Sequence, residues 1–330
     1  MIIRNPGLYD ASKLGVYAGA VGRDLHIDAI LSDITIGFRP QGMIWDQVFP
    51  VIQVPKQNNV YYVWNRANWL RRENAERAPL TQANQIDPQV SSDTYFARNF
   101  ALGVKTSWED LDNADDALEF RNSNSNLILD NLNLNAEFRM ATAILNTSNV
   151  GSSNTLANNY DVVAATTPIT DMDNGLESIR SVTGYNANLG LFGPLTWRRF
   201  RRHPDVIDFI RGKGDNVGGG GVTEQQVANA WNLSRVLVGN AIQNTAAEGA
   251  AGTFSDVWSN HIALLHVAAN PGRMTPTYGY TFQWKPAGFP APFTVRRYDD
   301  EKIMAEVQEV HHFQDEKIVS TALGFLIIGG

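Results

Sequence analysis

Between two β-rich runs, Val48 to Trp64 and Thr94 to Val104, the chain places about thirty residues of polar sequence that a globular core cannot absorb. From Asn65 to Ser92, Arg66, Arg71, Arg72, Glu73, Glu76 and Arg77 are mixed among asparagines, with few apolar residues apart from Trp69 and Leu70. A compact domain seldom carries so long a loop without a use for it. The spacing therefore predicts a two-stranded excursion whose tip reaches a neighbouring subunit. The first run is itself broken by Pro55-Lys56-Gln57-Asn58-Asn59, a turn-forming stretch that predicts a hairpin or a pair of bent strands.

Beyond the excursion the chain turns helical. Asp112 and Asn113 are placed to cap a helix, and Leu127, Leu134, Phe138, Ala141 and Leu145 recur at helical intervals, which predicts a helix from about Leu118 to Leu145. Its other face carries Asn131, Asn133, Asn135, Glu137 and Arg139 with Leu129 and Leu132 between, so both sides should be covered. Residues 146–174 read as a surface connection with one short strand around Val162, and a shorter helix begins at Glu177. Asn188 to Phe192 then leads into Pro194 at a first helical turn, before a second amphipathic piece, Val206 to Ile210. Thr223 with Gln226 forms a capping-box pattern opening a helix to Trp231, and Arg235 to Val238 reads as a buried strand. The end of the chain is β: Tyr280–Trp284, Phe293–Tyr298, Ile303–His312 and Ile318–Ile328, the last two expected to form a hairpin around Gln314-Asp315.

Composition narrows function by exclusion. With no cysteine, thiolate metal sites, disulfides and cysteine nucleophiles are ruled out. A net charge of -7 argues against broad electrostatic binding of nucleic acid. No run of about 18 apolar residues reads as a membrane span, and no signal peptide is expected. Gly214 to Gly221 lacks the lysine that a phosphate loop places after its glycines, and reads as a flexible loop. His311 and His312 point to opposite faces of a strand, and His261 and His266 are five apart, so neither pair suits one metal ion. Asp115-Asp116 and Asp299-Asp300 are adjacent pairs suited to caps and turns, and no Gly-x-Ser-x-Gly elbow occurs. No cofactor and no catalytic residue is expected. The densest cationic word, Trp197-Arg198-Arg199-Phe200-Arg201-Arg202-His203, suits pairing with an acidic partner or contact with DNA through Arg198, Arg199, Arg201 and Arg202, with intersubunit pairing preferred.

The order arm, long two-stranded loop, long helix, central α/β region and closing strands resembles the tailed-phage major capsid proteins of the Hong Kong 97-type fold, an α+β fold. The words that carry the likeness are Gly37-Phe38-Arg39-Pro40-Gln41-Gly42 with Phe49-Pro50-Val51, Glu73 to Pro79, Trp197 with His203-Pro204, and Val236-Leu237-Val238-Gly239. The resemblance implies an N-terminal arm over 1–45, an E-loop over 46–108, a spine helix and P-domain over 109–174, an A-domain over 175–275, and closing strands of both domains over 276–330. It implies a homo-oligomer of hexamers and pentamers in an icosahedral virion capsid, made in the bacterial cytoplasm and enclosing double-stranded DNA held by weak contacts. A portal is an implied partner, and a decoration protein is left open. Some relatives carry a cleavable scaffolding region ahead of the arm; here the pattern starts at Ile34, so a separate scaffolding protein is expected. Lys56 is the only lysine from Val54 to Phe96, so assembly without covalent cross-links is expected. Trp69, Arg71, Arg72, Glu73 and Arg77 are the expected intersubunit contacts. An encapsulin-type nanocompartment and an unrecognised hydrolytic enzyme are the alternatives.

Overall fold

The computed structural model describes residues 26–27, 42–63, 70–72, 75–85, 91–113, 117–212, 221–247, 249–270, 272, 275–289 and 292–329. In chain order the elements are β1 (His26–Ile27), α1 (Trp45–Val48), β2 (Val51–Val54), β3 (Asn58–Val63), β4 (Ser91–Phe96), β5 (Arg98–Ser107), α2 (Trp108–Asn113), α3 (Ala117–Ile144), β6 (Ser152–Thr155), α4 (Pro168–Thr183), β7 (Leu189–Phe192), α5 (Pro194–Phe200), α6 (Pro204–Arg211), α7 (Glu224–Ala230), β8 (Arg235–Val238), β9 (Ile242–Asn244), β10 (Phe254–Asp256), β11 (His261–Leu265), β12 (Gly279–Trp284), β13 (Thr294–Asp300), β14 (Ala305–Ile318) and β15 (Gly324–Ile328).

Two sheets organise them. The first runs β1-β13-β14-β12-β2 with β5 also paired to β14, and the second runs β6-β15-β11-β7-β8. Two separate ribbons, β3–β4 and β9–β10, project from these layers. The long helix α3 lies along the first sheet, burying Ile128, Leu129 and Leu132 against Val295 and Val310. Two ion pairs fasten it there. Arg121 meets Glu306 through two hydrogen bonds of 2.8 Å, and Arg139 meets Glu316 at 2.9 Å while lying 3.7 Å over the Phe100 ring. The C-terminal end of α3, through Met140 and Ile144, enters the main core around the second sheet.

Several expectations are corrected by tertiary pairing. Of the two readings of the run from Val48 to Trp64, two separate strands are present and the hairpin is not: β2 pairs in parallel with β12, and β3 pairs with β4 across the polar excursion. Each strand is held by a partner distant in sequence and not by the other. Gln314-Asp315 is no turn. β14 runs straight through it because Gln314 is flanked by Gln283 of β12 and Arg98 of β5, so pairing on both edges overrides turn propensity. The hairpin is instead β13–β14, and β15 belongs to the other sheet. The short strand expected near Val162 lies at β6, a polar edge strand with no alternation to betray it, while Val163–Ala165 is a 3-10 turn. The helix expected at Glu177 begins at Pro168, whose fixed φ suits a first turn, and ends at the left-handed Gly184. Asp112 and Asn113 close α2 instead of capping α3; α2 itself is capped by Ser107, whose hydroxyl accepts from the Asp110 amide at 3.1 Å.

Candidate assembly surfaces and the junction that orients them

One carboxylate joins three parts of the chain. Glu137 of α3 is fully buried, and its oxygens accept from the Ile44 amide at 2.9 Å, the Trp45 amide at 2.7 Å and the Trp258 indole N–H. Burial pushes its carboxyl above the usual range, while the three N–H donors pull the other way. The long helix, the segment entering the first sheet and the Trp258 region of the main core are thereby held in one arrangement. Sequence reasoning put Glu137 on the more polar face of a helix covered on both sides, and the carboxylate is indeed covered, four and eight residues from Ala141 and Leu129, both buried. The three donors that meet it come from distant segments and could not be read from the helix.

The same helix presents an apolar stripe outward. Leu127 and Phe138, expected on the buried face, are 55% and 46% exposed, whereas Ala141 of that face is buried; the other buried positions are Ser125, Ile128, Leu129, Leu132, Asn133, Ala136, Met140 and Ile144 with Glu137. A 3.6-residue period locates a face without saying what covers it.

The β3–β4 ribbon has two unlike faces. On one, Tyr95 stacks on Phe282 at 4.5 Å and Tyr61 meets the same ring at 5.1 Å, while the Phe96 amide donates to the Asp315 carboxylate at 2.9 Å. These contacts root the ribbon on the first sheet. On the other face Val60, Tyr62 and Phe96 are 55%, 46% and 49% exposed. Beyond the ribbon, Leu70, Arg71, Arg72, Arg77 and Leu80 are all exposed. Trp69 and Glu73, expected to contact a neighbour, lie outside the described residues, as does most of the Gly37–Gly42 word. A second exposed apolar patch sits on the β9–β10 ribbon, where the register puts Ile242 and Phe254 on one face.

The arginine-rich word divides. Trp197 and Phe200 of α5 face the core, so Arg198 and Arg202 project outward and exposed. Arg199 pairs with Asp161 at 2.6 Å, and Arg201 packs against Gly221, its carbonyl accepting from the Val222 amide. Arg198, Arg199 and Arg202 line one cleft of about 260 Å³, and Arg201 does not. Its floor holds His203, which is buried and kept neutral by that burial. The histidine accepts from the Asp205 amide at 3.3 Å and lies 3.2 Å from the Thr166 hydroxyl. Among the described residues no group of three or more His, Cys, Asp or Glu is placed to hold a metal ion, and no helix is long and apolar enough to cross a membrane.

No family model matches the chain. Its sequence is similar to the major capsid protein of Burkholderia phage BcepMu, 22% identical over 78% of this chain and 84% of the relative. It is similar also to the major capsid protein of Pseudomonas phage JBD67, 25% identical over 78% and 83%. Among solved structures, a phage-related protein from Bordetella bronchiseptica matches with a TM-score of 0.68 at 20% identity, covering 92% of this chain and 97% of that one. The capsid of Cyanophage P-SCSP1u matches at 0.55 and 11% identity over 89% of each chain. An encapsulin complex from Synechococcus elongatus matches at 0.50 and 14% identity, covering 86% and 85%.

Proposed function

We infer that this chain, which has the Hong Kong 97-type fold, is the major capsid protein of a tailed-phage head, a structural protein whose work is self-assembly into an icosahedral shell around double-stranded DNA. The observation that carries this reading is a likeness spanning most of the chain, in sequence to phage major capsid proteins and in fold to shell-forming ones. The surfaces agree with it. Rings of like subunits need heterologous contacts, in which one patch of a copy meets a different patch of the next. The β3–β4 ribbon offers such a patch, with one face rooted and the opposite face apolar and exposed. Covering the open halves of Val60, Tyr62 and Phe96 contributes roughly 1 kcal/mol each. Contacts of that size, repeated over a shell, add to a strong assembly while a single misplaced subunit can still leave.

On this reading residues 46–108 form the E-loop, 109–174 the spine helix and part of the P-domain, 175–275 the A-domain, and 276–330 the closing strands of both. Copies form hexamers and pentamers, a separate scaffolding protein guides closure, and a portal occupies one vertex. The tip residues Trp69, Arg71, Arg72, Glu73 and Arg77 lie across a neighbour, and the protein performs no catalysis. An encapsulin-type shell shares the fold, but both sequence relatives are phage proteins, which favours the head. The combined substitution Tyr62→Ser with Phe96→Ser should abolish shell formation while leaving the circular dichroism and unfolding midpoint of the subunit in place, and Trp69→Ala should impair it. Wild-type shell yields from both variants would overturn the assignment of the ribbon and its tip.

A further inference from the structure

Resting on the shell reading, we propose that the arginine cleft of one subunit receives the acidic segment at residues 108–119 of a second copy. Three observations lead there. The cleft is a preformed recess with an imbalance of charge. Arg199 is answered by Asp161, but Arg198 and Arg202 are exposed, four residues apart, and have no ion-pair partner among the described residues. Two like charges so spaced repel each other until an anion joins them. The buried floor offers an anion nothing better, because Tyr160 turns its hydroxyl to Asp171 at 3.3 Å and both ring nitrogens of His203 are engaged. Recognition therefore falls to the guanidiniums at the rim. An apolar ledge, Leu195 in the cleft with Val162 and Val163 about half exposed beside it, asks for an apolar residue next to the acid.

The densest acidic segment of the chain has that character. Glu109, Asp110, Asp112, Asp115, Asp116 and Glu119 lie within eleven residues, with Leu111 and Leu118 among them and Trp108 just ahead. Glu109 and Asp112 of α2 are exposed and have no ion-pair partner among the described residues. Helix α2 sits at the end of the first sheet, where the Trp108 amide donates to the Met304 carbonyl at 3.1 Å, whereas Arg198 lies on α5 and Arg202 in the turn just after it, beside the second sheet. Opposite charges concentrated on different elements and left unanswered within the subunit are complementary between copies. Duplex DNA suits the cleft less well. It binds through many phosphates over a broad basic surface, whereas this recess offers two uncompensated charges on a chain of net charge -7.

Charge reversal tests the pairing. Arg198→Glu with Arg202→Glu, and separately Glu109→Arg with Asp112→Arg, should each weaken association of subunits at least about tenfold, the scale of a like-charge contact at an interface. The chain carrying all four substitutions should recover shell yield, a rescue that a merely structural role for these exposed residues would not produce. A second arm does not depend on shells: a synthetic peptide spanning residues 107–120 should bind the purified full chain in fluorescence polarisation and lose that binding to the Arg198→Glu, Arg202→Glu variant. Absence of peptide binding overturns the inference even where wild-type shells form. Failure of rescue, with only the arginine reversal harmful, also overturns it and points to an acidic segment of another protein. Normal shells that retain less DNA would identify the arginines as a duplex contact instead. Wild-type chain that binds the peptide but forms no shells leaves the pairing standing and counts against the shell reading.

Discussion

Replacing Glu137 probes the joint on which the arrangement of the subunit depends. Glu137→Ala strands three buried donors, the amides of Ile44 and Trp45 and the indole of Trp258. Each unsatisfied buried donor costs about 1–3 kcal/mol. The substitution also relieves the burial of a carboxylate, itself worth several kcal/mol, so the net loss falls below the sum, at about 3–5 kcal/mol. Glu137→Gln keeps the shape and one acceptor oxygen but turns an amide N–H₂ toward a donor, for a loss of about 1–3 kcal/mol. Guanidinium denaturation of the subunit under non-assembling conditions reads both as a lowered midpoint with an unchanged slope. The ordering Ala worse than Gln worse than wild type is the signature expected of this network. Midpoints for both variants within about 0.5 kcal/mol of wild type, the range of an ordinary surface change, would refute the reasoning.

Acid should weaken the fold through its buried histidines. Burial, helped by the charge of Arg139, pulls His312 down to about 3, so the folded chain keeps it neutral while the unfolded chain takes up a proton below about 6.5. That contribution is intact above about pH 6.5 and is lost as pH falls toward 3, by up to about 1.4 kcal/mol per pH unit. His203, His261 and His311 shift the same way by burial and steepen the loss. His312→Gln should flatten the acid limb of a stability curve; an unchanged limb would contradict this. Gly193→Ala should destabilise by about 3 kcal/mol or more, measured by chemical denaturation, because a Cβ there would stand 1.7 Å from the Ser259 carbonyl oxygen; a neutral effect would show the backbone yields at no cost. Assembled shells boiled in detergent should run as single subunits, since Lys56 is the only lysine from Val54 to Phe96. A ladder of linked species would refute non-covalent assembly.

The long helix, the two strands bracketing the polar excursion, the capping box at Thr223 and the Pro194 helix start are legible in the sequence because each rests on local chemistry: periodicity, a fixed proline φ, a side chain reaching a nearby amide. Distant partners set the rest. β14 passes through Gln314-Asp315 because two other strands hold it, and β6 is a strand only by virtue of β15. The apolar residues Leu127 and Phe138 are visible in the sequence as a stripe, but their exposure is not. In a chain that assembles, an apolar face has two destinations, the core or a neighbour, and hydrophobic period alone does not choose between them. Glu137 shows the converse, a charged residue inside because three backbone and indole donors meet it there. The arginine word is legible as a cluster; that Arg198, Arg199 and Arg202 share a cleft while Arg201 turns away depends on where Trp197 and Phe200 pack.

Negative-stain electron microscopy of the purified chain, with and without a co-expressed candidate scaffolding protein, tests the central claim most directly. Closed shells, or rings of six and five subunits, are the predicted result. Uniform small particles under both conditions, at concentrations where repeated weak contacts should have closed a shell, would contradict it.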